Sequence, residues 1–318
     1  MKVVVLGAGA LGSIIAGHLA KAGEDVTLVA RRDRAEHLKQ NGITITGVAE
    51  FNVQCPIVTD PSQITEADAL IVAVKTHQMD SAISGLSHAK FSCVTSVQNG
   101  IKFNDQLSGV FGAANVVGAS AAFSGDMAAN GDALFTVNGG FAIGELSGEP
   151  SARVQGLSTV LQDSGINSGV AANILTLQWS KFVMWVGATP LGILTRQETY
   201  KFASDAGCAL TWIRITREAA AIAKTNGIPL EDIGPFPVKS MVYGSEEDAV
   251  AAIQELGKKL EKTAPNYKVS ALQDLERGRT LEIDDTLGYA ITEAGRLGIP
   301  VPTLEMCYSL CKGINRNL

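Results

Sequence analysis

The stretch from Met1 to Leu19, MKVVVLGAGALGSIIAGHL, constrains this chain more than any other. Val3 to Leu6 are apolar and β-favouring, as expected of a strand buried in a parallel sheet. Gly7-Ala8-Gly9-Ala10-Leu11-Gly12 follows, and Ser13 to Leu19 reads as a helix. This is G-x-G-x-x-G between a strand and a helix, the context in which the pattern cradles a dinucleotide pyrophosphate. Gly7 would make the tight turn, Gly9 would admit the pyrophosphate, and Gly12 would let helix and strand pack closely. Gly7, Gly9, Ala10, Leu11 and Gly12 therefore form the predicted cofactor loop, and the helix N-terminus adds N–H donors for phosphate. The alternative is an apolar strand–turn–helix with no ligand. A Lys before an apolar stretch also resembles a secretory leader. The glycines interrupt the continuous apolar helix a leader needs, so the stretch is expected to belong to the mature fold.

The cofactor type is read from the end of the next strand, Asp25 to Val29. An NAD site usually places an acid there for the ribose 2′-hydroxyl. Here Arg31 and Arg32 follow, with Arg34 close behind. Guanidinium forks suit a 2′-phosphate, which predicts NADP(H). The competing reading is a solvated basic start of the next helix, with Asp33 as counter-charge.

Gly42 to Val48 and Phe51 to Ile57 read as a short β excursion. Ala69 to Val74 reads as a central strand ending in Lys75, and Cys93 to Val97 as another ending in Gln98-Asn99-Gly100. Such strand ends face the ligand crevice, so Lys75 and Asn99 are candidate cofactor contacts; a surface lysine and a turn-forming Asn-Gly are the plainer alternatives. Asn115 to Ala122, Ala133 to Val137 and Gly140 to Gly144 read as further strands, and Glu149-Pro150-Ser151 opens a helix to about Asp163. Ile166 to Val170 reads as an edge strand.

Beyond Ala172 the pattern turns helical, which predicts a Rossmann-type doubly wound α/β domain over 1–172 and an all-α domain over 173–318. Asn173 to Leu191 is apolar almost all round, as in a buried helix, and its one ionisable side chain is Lys181. A buried ammonium is costly unless paired or functional, although a lysine can also snorkel to the surface. Helices are further expected over Ala203 to Gly227, Ser245 to Leu260, a stretch to Leu297, and Pro302 to about Ile314. Ser270-x-x-Gln273 reads as a capping box at a helix start.

Charge and cysteines narrow the function classes. A formal net charge of −6 argues against nucleic-acid or anionic-membrane partners. No apolar run reaches the ~18 residues of a membrane helix. Five scattered cysteines suit a reducing cytoplasm, and no His or Cys cluster suggests a metal. The helical domain could bury a homodimer surface, but no stretch specifies one.

Taken together, these residues resemble the ketopantoate reductase (2-dehydropantoate 2-reductase) family across nearly the whole chain. The likeness rests on Gly7 to Gly12, Arg31, Val74 to Gln78 and Gln98-Asn99-Gly100. It continues through the tryptophan-containing helix with Lys181, Ser270 to Asp274, Thr280 to Asp284 and Ile299 to Pro302. The resemblance implies a 2-oxo acid substrate held between a Rossmann domain and a helical domain. It also implies Lys181 as the catalytic lysine, Glu282 at the active site and Ser270 as a substrate contact. Asn99 would lie near the nicotinamide and the lysine, and Lys75 at the cofactor. Ser270 as a helix cap and Glu282 as a solvated first-turn acid are the plainer readings. The sequence departs from the family where it has asparagines one and two helical turns after the lysine: Trp185 and Thr189 stand there. They would line the substrate site, where an aromatic wall suits a more apolar 2-oxo acid. The reading is NADPH-dependent reduction of a 2-oxo acid to a 2-hydroxy acid. The alternatives are ketopantoate reduction for pantothenate synthesis, an opine-type dehydrogenase, and a non-enzymatic NADP-binding sensor.

Overall fold

The computed structural model describes residues 1–318, which divide into two compact units, Met1–Leu175 and Thr176–Leu318. The first is built on a five-stranded sheet ordered β5-β2-β1-β6-β7, from Ile57–Val58, Asp25–Val29, Lys2–Leu6, Glu66–Val72 and Lys90–Ser96. Every pairing in it is parallel. Strand order reverses around β1, so a ligand crevice is expected at the carboxyl ends of β1 and β6. The strands are short apolar runs because both faces are covered. Val3 and Val5 enter one core cluster with Ile14, Ile15 and Leu19 of α1 (Ala10–Lys21). Val4 and Leu6 enter the other, with Met79 and Ile83 of α3 (Met79–Ser84) and Leu107 of α4 (Phe103–Phe111).

A second sheet runs β10-β9-β3-β4, with β8 paired to β9. It comprises β3 (Ile43–Gly47), β4 (Phe51–Val53), β8 (Val117–Met127), β9 (Ala133–Glu145) and β10 (Ser168–Val170). The two strands expected over Ala133 to Val137 and Gly140 to Gly144 are one continuous strand. The intervening Gly139-Gly140 pair is absorbed without ending the strand, because β8 supplies an antiparallel partner along almost the whole length and the extra residue at each of two register shifts falls on β9. The β excursion divides: β3 and β4 join this second sheet, whereas β5 pairs with β2. Ser151 caps α5 (Ala152–Asp163) through its hydroxyl, accepting from the Val154 amide.

The second unit is helical. α6 (Ile174–Thr195) runs through Pro190, four residues beyond its expected end at Leu191. The helix expected over Ala203 to Gly227 is two. α7 (Thr199–Ser204) ends where Asp205 turns extended and caps α8 (Ala206–Thr225) by accepting from the Cys208 amide. α9 (Val238–Tyr243), α10 (Glu246–Thr263), α11 (Ser270–Glu276), α12 (Leu287–Leu297) and α13 (Pro302–Asn315) complete it. Gly298, left-handed at φ 68°, ends α12. No helix is long and apolar enough to cross a membrane.

Candidate functional site

The three glycines of the loop do three different things. Gly7 sits at φ +110°, and a Cβ there would lie 2.7 Å from Cγ1 of Val74. A Cβ on Gly12 would run into the Gly7 carbonyl oxygen, so the first turn of α1 can lie on the loop only without a side chain. A Cβ on Gly9 would meet no protein atom within 4 Å. Packing within the chain therefore explains Gly7 and Gly12 but leaves Gly9 open, as a position approached by a ligand must be. Gly9 is also the N-cap of α1, which has no side-chain cap and no acid in its first turn. Its orphan N–H groups and positive dipole end suit a pyrophosphate, so the loop fits the NADP(H) expected of it.

The arginines after β2 separate into two kinds. Arg31 and Arg32 are exposed, with Arg31 at the N-cap of α2 (Arg32–Asn41) and Arg32 left-handed at φ 49°. Arg34 turns inward. Its Nε donates to the Ala8 carbonyl at 3.1 Å, Nη2 to the Ser13 hydroxyl at 3.0 Å and Nη1 to the Gly131 carbonyl at 2.7 Å. Of the basic cluster, Arg31 and Arg32 thus stay exposed, while Arg34 holds the loop. No local pattern signals this second role, since two of its three acceptors lie 26 and 97 residues away.

Lys75 and Asn99 are half-buried just past the ends of β6 and β7. The two ends are fastened together. The Gln98 side chain donates to the Val74 carbonyl at 2.7 Å, and the Ser96 hydroxyl donates to the Val72 carbonyl at 3.2 Å. Lys75 then opens a single 3-10 turn, Thr76–Gln78, leading into α3.

In the second unit, α6 presents Leu177, Lys181 and Trp185 at four-residue spacing as half-buried positions among buried neighbours. Burial pushes the Lys181 ammonium down to about 8 from its usual 10.5. Thr189, next on the same stripe, is fully buried and its hydroxyl has no hydrogen-bond partner. It therefore offers no surface to a ligand in this structure, unlike Trp185. The helix is held at several points. The Trp212 indole donates to the Met184 carbonyl at 2.9 Å, and Gly187 makes room for that ring: a Cβ there would lie 2.5 Å from Cδ1 of Trp212. The Glu231 amide donates to the Ser180 hydroxyl at 2.8 Å. Gly192 lies against Val269, the residue before Ser270, and Phe182 meets Tyr289 of α12 edge-on at 6.3 Å. These contacts bring the start of α11, which carries Ser270, and the helix α12 onto the lysine helix.

Ser270 is half-buried but is not a cap. The N-cap of α11 is Val269, without a side-chain bond, and Gln273 turns back to the Lys268 carbonyl at 3.1 Å. The expected capping box is absent because Ser270 already lies inside the first turn, where its hydroxyl cannot meet the third amide. Glu282, also half-buried, lies in a turn held from α13. The Leu281 amide donates to the Asn315 side chain at 2.8 Å, and the Tyr308 hydroxyl donates to Asp284 at 2.5 Å. Lys312 approaches Asp284 at 3.3 Å. Sequence reasoning singled out none of these α13 residues, whose role depends on a contact formed only on folding.

Other chemistry is poorly served. No group of three or more His, Cys, Asp or Glu is placed to hold a metal. All five cysteines are free, and burial raises Cys93 and Cys311 to about 12 and Cys55 and Cys208 to about 11, which keeps those thiols protonated. An open cavity of about 590 Å³ between α7 and its neighbours, lined by Tyr200, Lys201 and Asp205 among others, contains none of the predicted site residues.

Known proteins match this arrangement along its length. The family described as Ketopantoate reductase PanE/ApbA matches residues 3–148, and its C-terminal counterpart matches residues 173–315. The 2-dehydropantoate 2-reductase of Pyrococcus abyssi (strain GE5 / Orsay) is 27% identical over 98% of this chain and 97% of its own. That of Archaeoglobus fulgidus is 27% identical over 100% and 99%. The crystal structure of a PanE/ApbA family ketopantoate reductase from Ralstonia eutropha JMP134 is 25% identical, covers 100% and 99% of the two chains and has a TM-score of 0.83. D-mandelate dehydrogenase, solved with NADH and anilino(oxo)acetate, shares the fold at 18% identity, 100% and 99% coverage and a TM-score of 0.84. By the two family matches, which together take in most of its residues, this chain belongs to the ketopantoate reductase PanE/ApbA family.

Proposed function

We propose that this protein reduces a 2-oxo acid to the 2-hydroxy acid with NADPH, and that Lys181 supplies the proton. Its family membership makes it an NADP-dependent oxidoreductase acting on CH–OH groups. The observation that carries the rest is Lys181 itself: an ammonium on an apolar helix, drawn by burial to about 8. NADPH, when bound, would supply the hydride to the carbonyl carbon. Negative charge then builds on the carbonyl oxygen, and a cation with a pKa near the working pH is suited to hold that charge and release its proton. Glu282 would orient the ammonium, Ser270 would contact the substrate and Asn99 would position the nicotinamide end. Gly7, Gly9, Ala10, Leu11 and Gly12, with Arg31 and Lys75, would hold the cofactor.

Trp185 points the substrate towards a more apolar side chain. It stands one turn from Lys181 on the accessible stripe of α6, where an indole offers width and no acceptor. Thr189 enters this reading only through its volume, since it is buried. The second reading is ketopantoate reduction in pantothenate synthesis, favoured by the 2-dehydropantoate 2-reductases that are 27% identical to this chain. A screen of NADPH oxidation over 2-oxo acids, with ketopantoate included, separates the two. Turnover of ketopantoate equal to or better than that of bulkier apolar acids counts against the first. Amino acids added to the same assay expose an opine-type reaction.

Replacing Lys181 by Ala is expected to lower turnover by about a hundredfold to ten-thousandfold while NADPH binding persists. Unchanged turnover would exclude Lys181 as the acid. A wild-type protein that binds NADPH and turns over no 2-oxo acid would support the sensor reading instead. The proposal extends to a homodimer: α13 exposes Met306 at 65% and Leu310 at 54%, four residues apart. Light scattering at twice the chain mass is the expected result.

A further inference from the structure

Arg34 joins three separate segments around the glycine loop. It reaches the loop at Ala8, the first helix at Ser13 and the tip of the β8–β9 hairpin at Gly131. Ser13 is fully buried, and its hydroxyl also donates to the Ala8 carbonyl at 3.3 Å, so loop, helix and guanidinium form one closed set. The hairpin tip is shaped to take part. Gly131 is left-handed at φ +90°, and the turn is braced by Asn130, which donates to Asp132 at 2.7 Å. All three acceptors of Arg34 are neutral. Asp132 acts on it only at a distance, so the guanidinium's charge stays uncompensated by any contacting carboxylate.

We propose that Arg34 is a positioning residue for the dinucleotide, acting through the glycine loop on the part that NADPH and NADH share, and that it ties the hairpin tip to that loop. The inference rests on the reading of Gly7 to Gly12 as the NADP(H) loop. Its logic is geometric. The donors of Arg34 that point at the loop are used up in holding Ala8 and Ser13, which fixes the loop amides before the ligand arrives. Preorganisation of that kind strengthens binding of any pyrophosphate presented to it. Arg31 and Arg32, exposed at the start of α2, are left to discriminate the 2′-phosphate. The two tasks should therefore separate by variant: one changes affinity without changing preference, the other changes preference.

The test is fluorescence titration of the whole protein with NADPH and with NADH, without substrate. Arg34→Gln is expected to weaken both by a similar factor, about tenfold, leaving their ratio near the wild-type value. Arg31→Ala is expected to weaken NADPH alone. Two results would overturn the proposal. One is Arg34→Gln binding both dinucleotides as the wild type does, with only a lower Tm, which is a purely structural role. The other is loss of NADPH affinity with NADH unchanged, which makes Arg34 a direct phosphate ligand. If Arg34→Gln does not fold, Ser13→Ala removes one acceptor of the same set and should weaken both dinucleotides equally by about threefold. No change in Ser13→Ala counts against the proposal. Hydrogen exchange supplies the second readout: NADPH should slow the amides of residues 127–133 in the wild type and not in the variant. Equal exchange with and without NADPH in the wild type overturns the link to the hairpin. A wild type that binds no NADPH at all refutes the cofactor reading before any variant is compared.

Discussion

Lys181 carries two opposed demands, and both depend on pH. As the proposed proton donor it must be charged, so kcat/KM for reduction should fall as pH rises through about 8, and the reverse oxidation should rise over the same range. A pH–rate profile flat from 6 to 9.5 would contradict this assignment. As a buried charge the same ammonium works against folding. Its pKa is near 8 in the folded chain and near 10.5 when unfolded, so the unfolded state binds the proton more tightly. The penalty is fully present below about pH 8 and disappears as pH rises past 10.5, an effect of about 3 kcal/mol at most. Lys181→Met should therefore raise Tm at pH 7 while abolishing turnover, which calorimetry beside an NADPH assay can check.

His18 follows the same sign by a different route. It lies on the buried face of α1, meets the Ser164 carbonyl at 2.9 Å through Nδ1, and is flanked edge-on by Phe51 and Phe135. Nε2 has no partner, and the nearest charge is the like charge of Lys21, whose ammonium covers Phe51 at 4.3 Å. Burial holds the ring neutral below its usual pKa, so stability present above about pH 6.5 is lost as pH falls. Urea midpoints that drop between pH 7 and 5.5 in the wild type, and drop less in His18→Gln, are the expected outcome.

At the scale of elements, the sequence is most legible where one local signal settles one local structure. Ser151 as the cap of α5, Gly298 as the end of α12 and the alternating faces of β1 all need only neighbouring residues. It is least legible where a distant partner decides. Gly139-Gly140 looks like a strand end until β8 is there to pair with it. Ser270 looks like a cap because spacing cannot say whether Val269 or Ser270 is the last extended residue. The candidate site divides in the same way: glycine loop, exposed arginines and buried lysine are read from sequence, whereas the residues bracing them are not.

A brace away from the candidate site has a measurable weight. Arg153 of α5 makes a two-pronged ion pair with Glu145 at 2.7 and 2.6 Å, and Nη1 reaches the carbonyls of Ser92 and Ala114 at 2.7 and 2.6 Å. Four elements meet at this one side chain, and both partners are half-buried. Arg153→Ala leaves the Glu145 carboxylate without its partner and should cost about 3 kcal/mol in chemical denaturation. A loss under about 0.5 kcal/mol would place the pair among the weak surface bridges.

At the scale of the whole molecule, the two compact units meet along the chain within the first turn of α6, not before it. Ile174 belongs to the first unit: a Cβ on Gly118 would lie 2.9 Å from its side chain, and one on Gly144 equally close. Seven residues later the same helix presents Lys181. The seam is thus a helix already under way, and the chain has no neutral point of division there. Any fragment ended at residue 172, where composition changes, loses the side chain that plugs two glycines of the second sheet. Any fragment begun there carries that side chain uncovered. The same argument bears on ancestry and on engineering: exchanging the helical half between relatives requires the crossover to fall inside α6, after its first turn, so that the plug travels with the sheet it fills and the lysine with the helices that hold it.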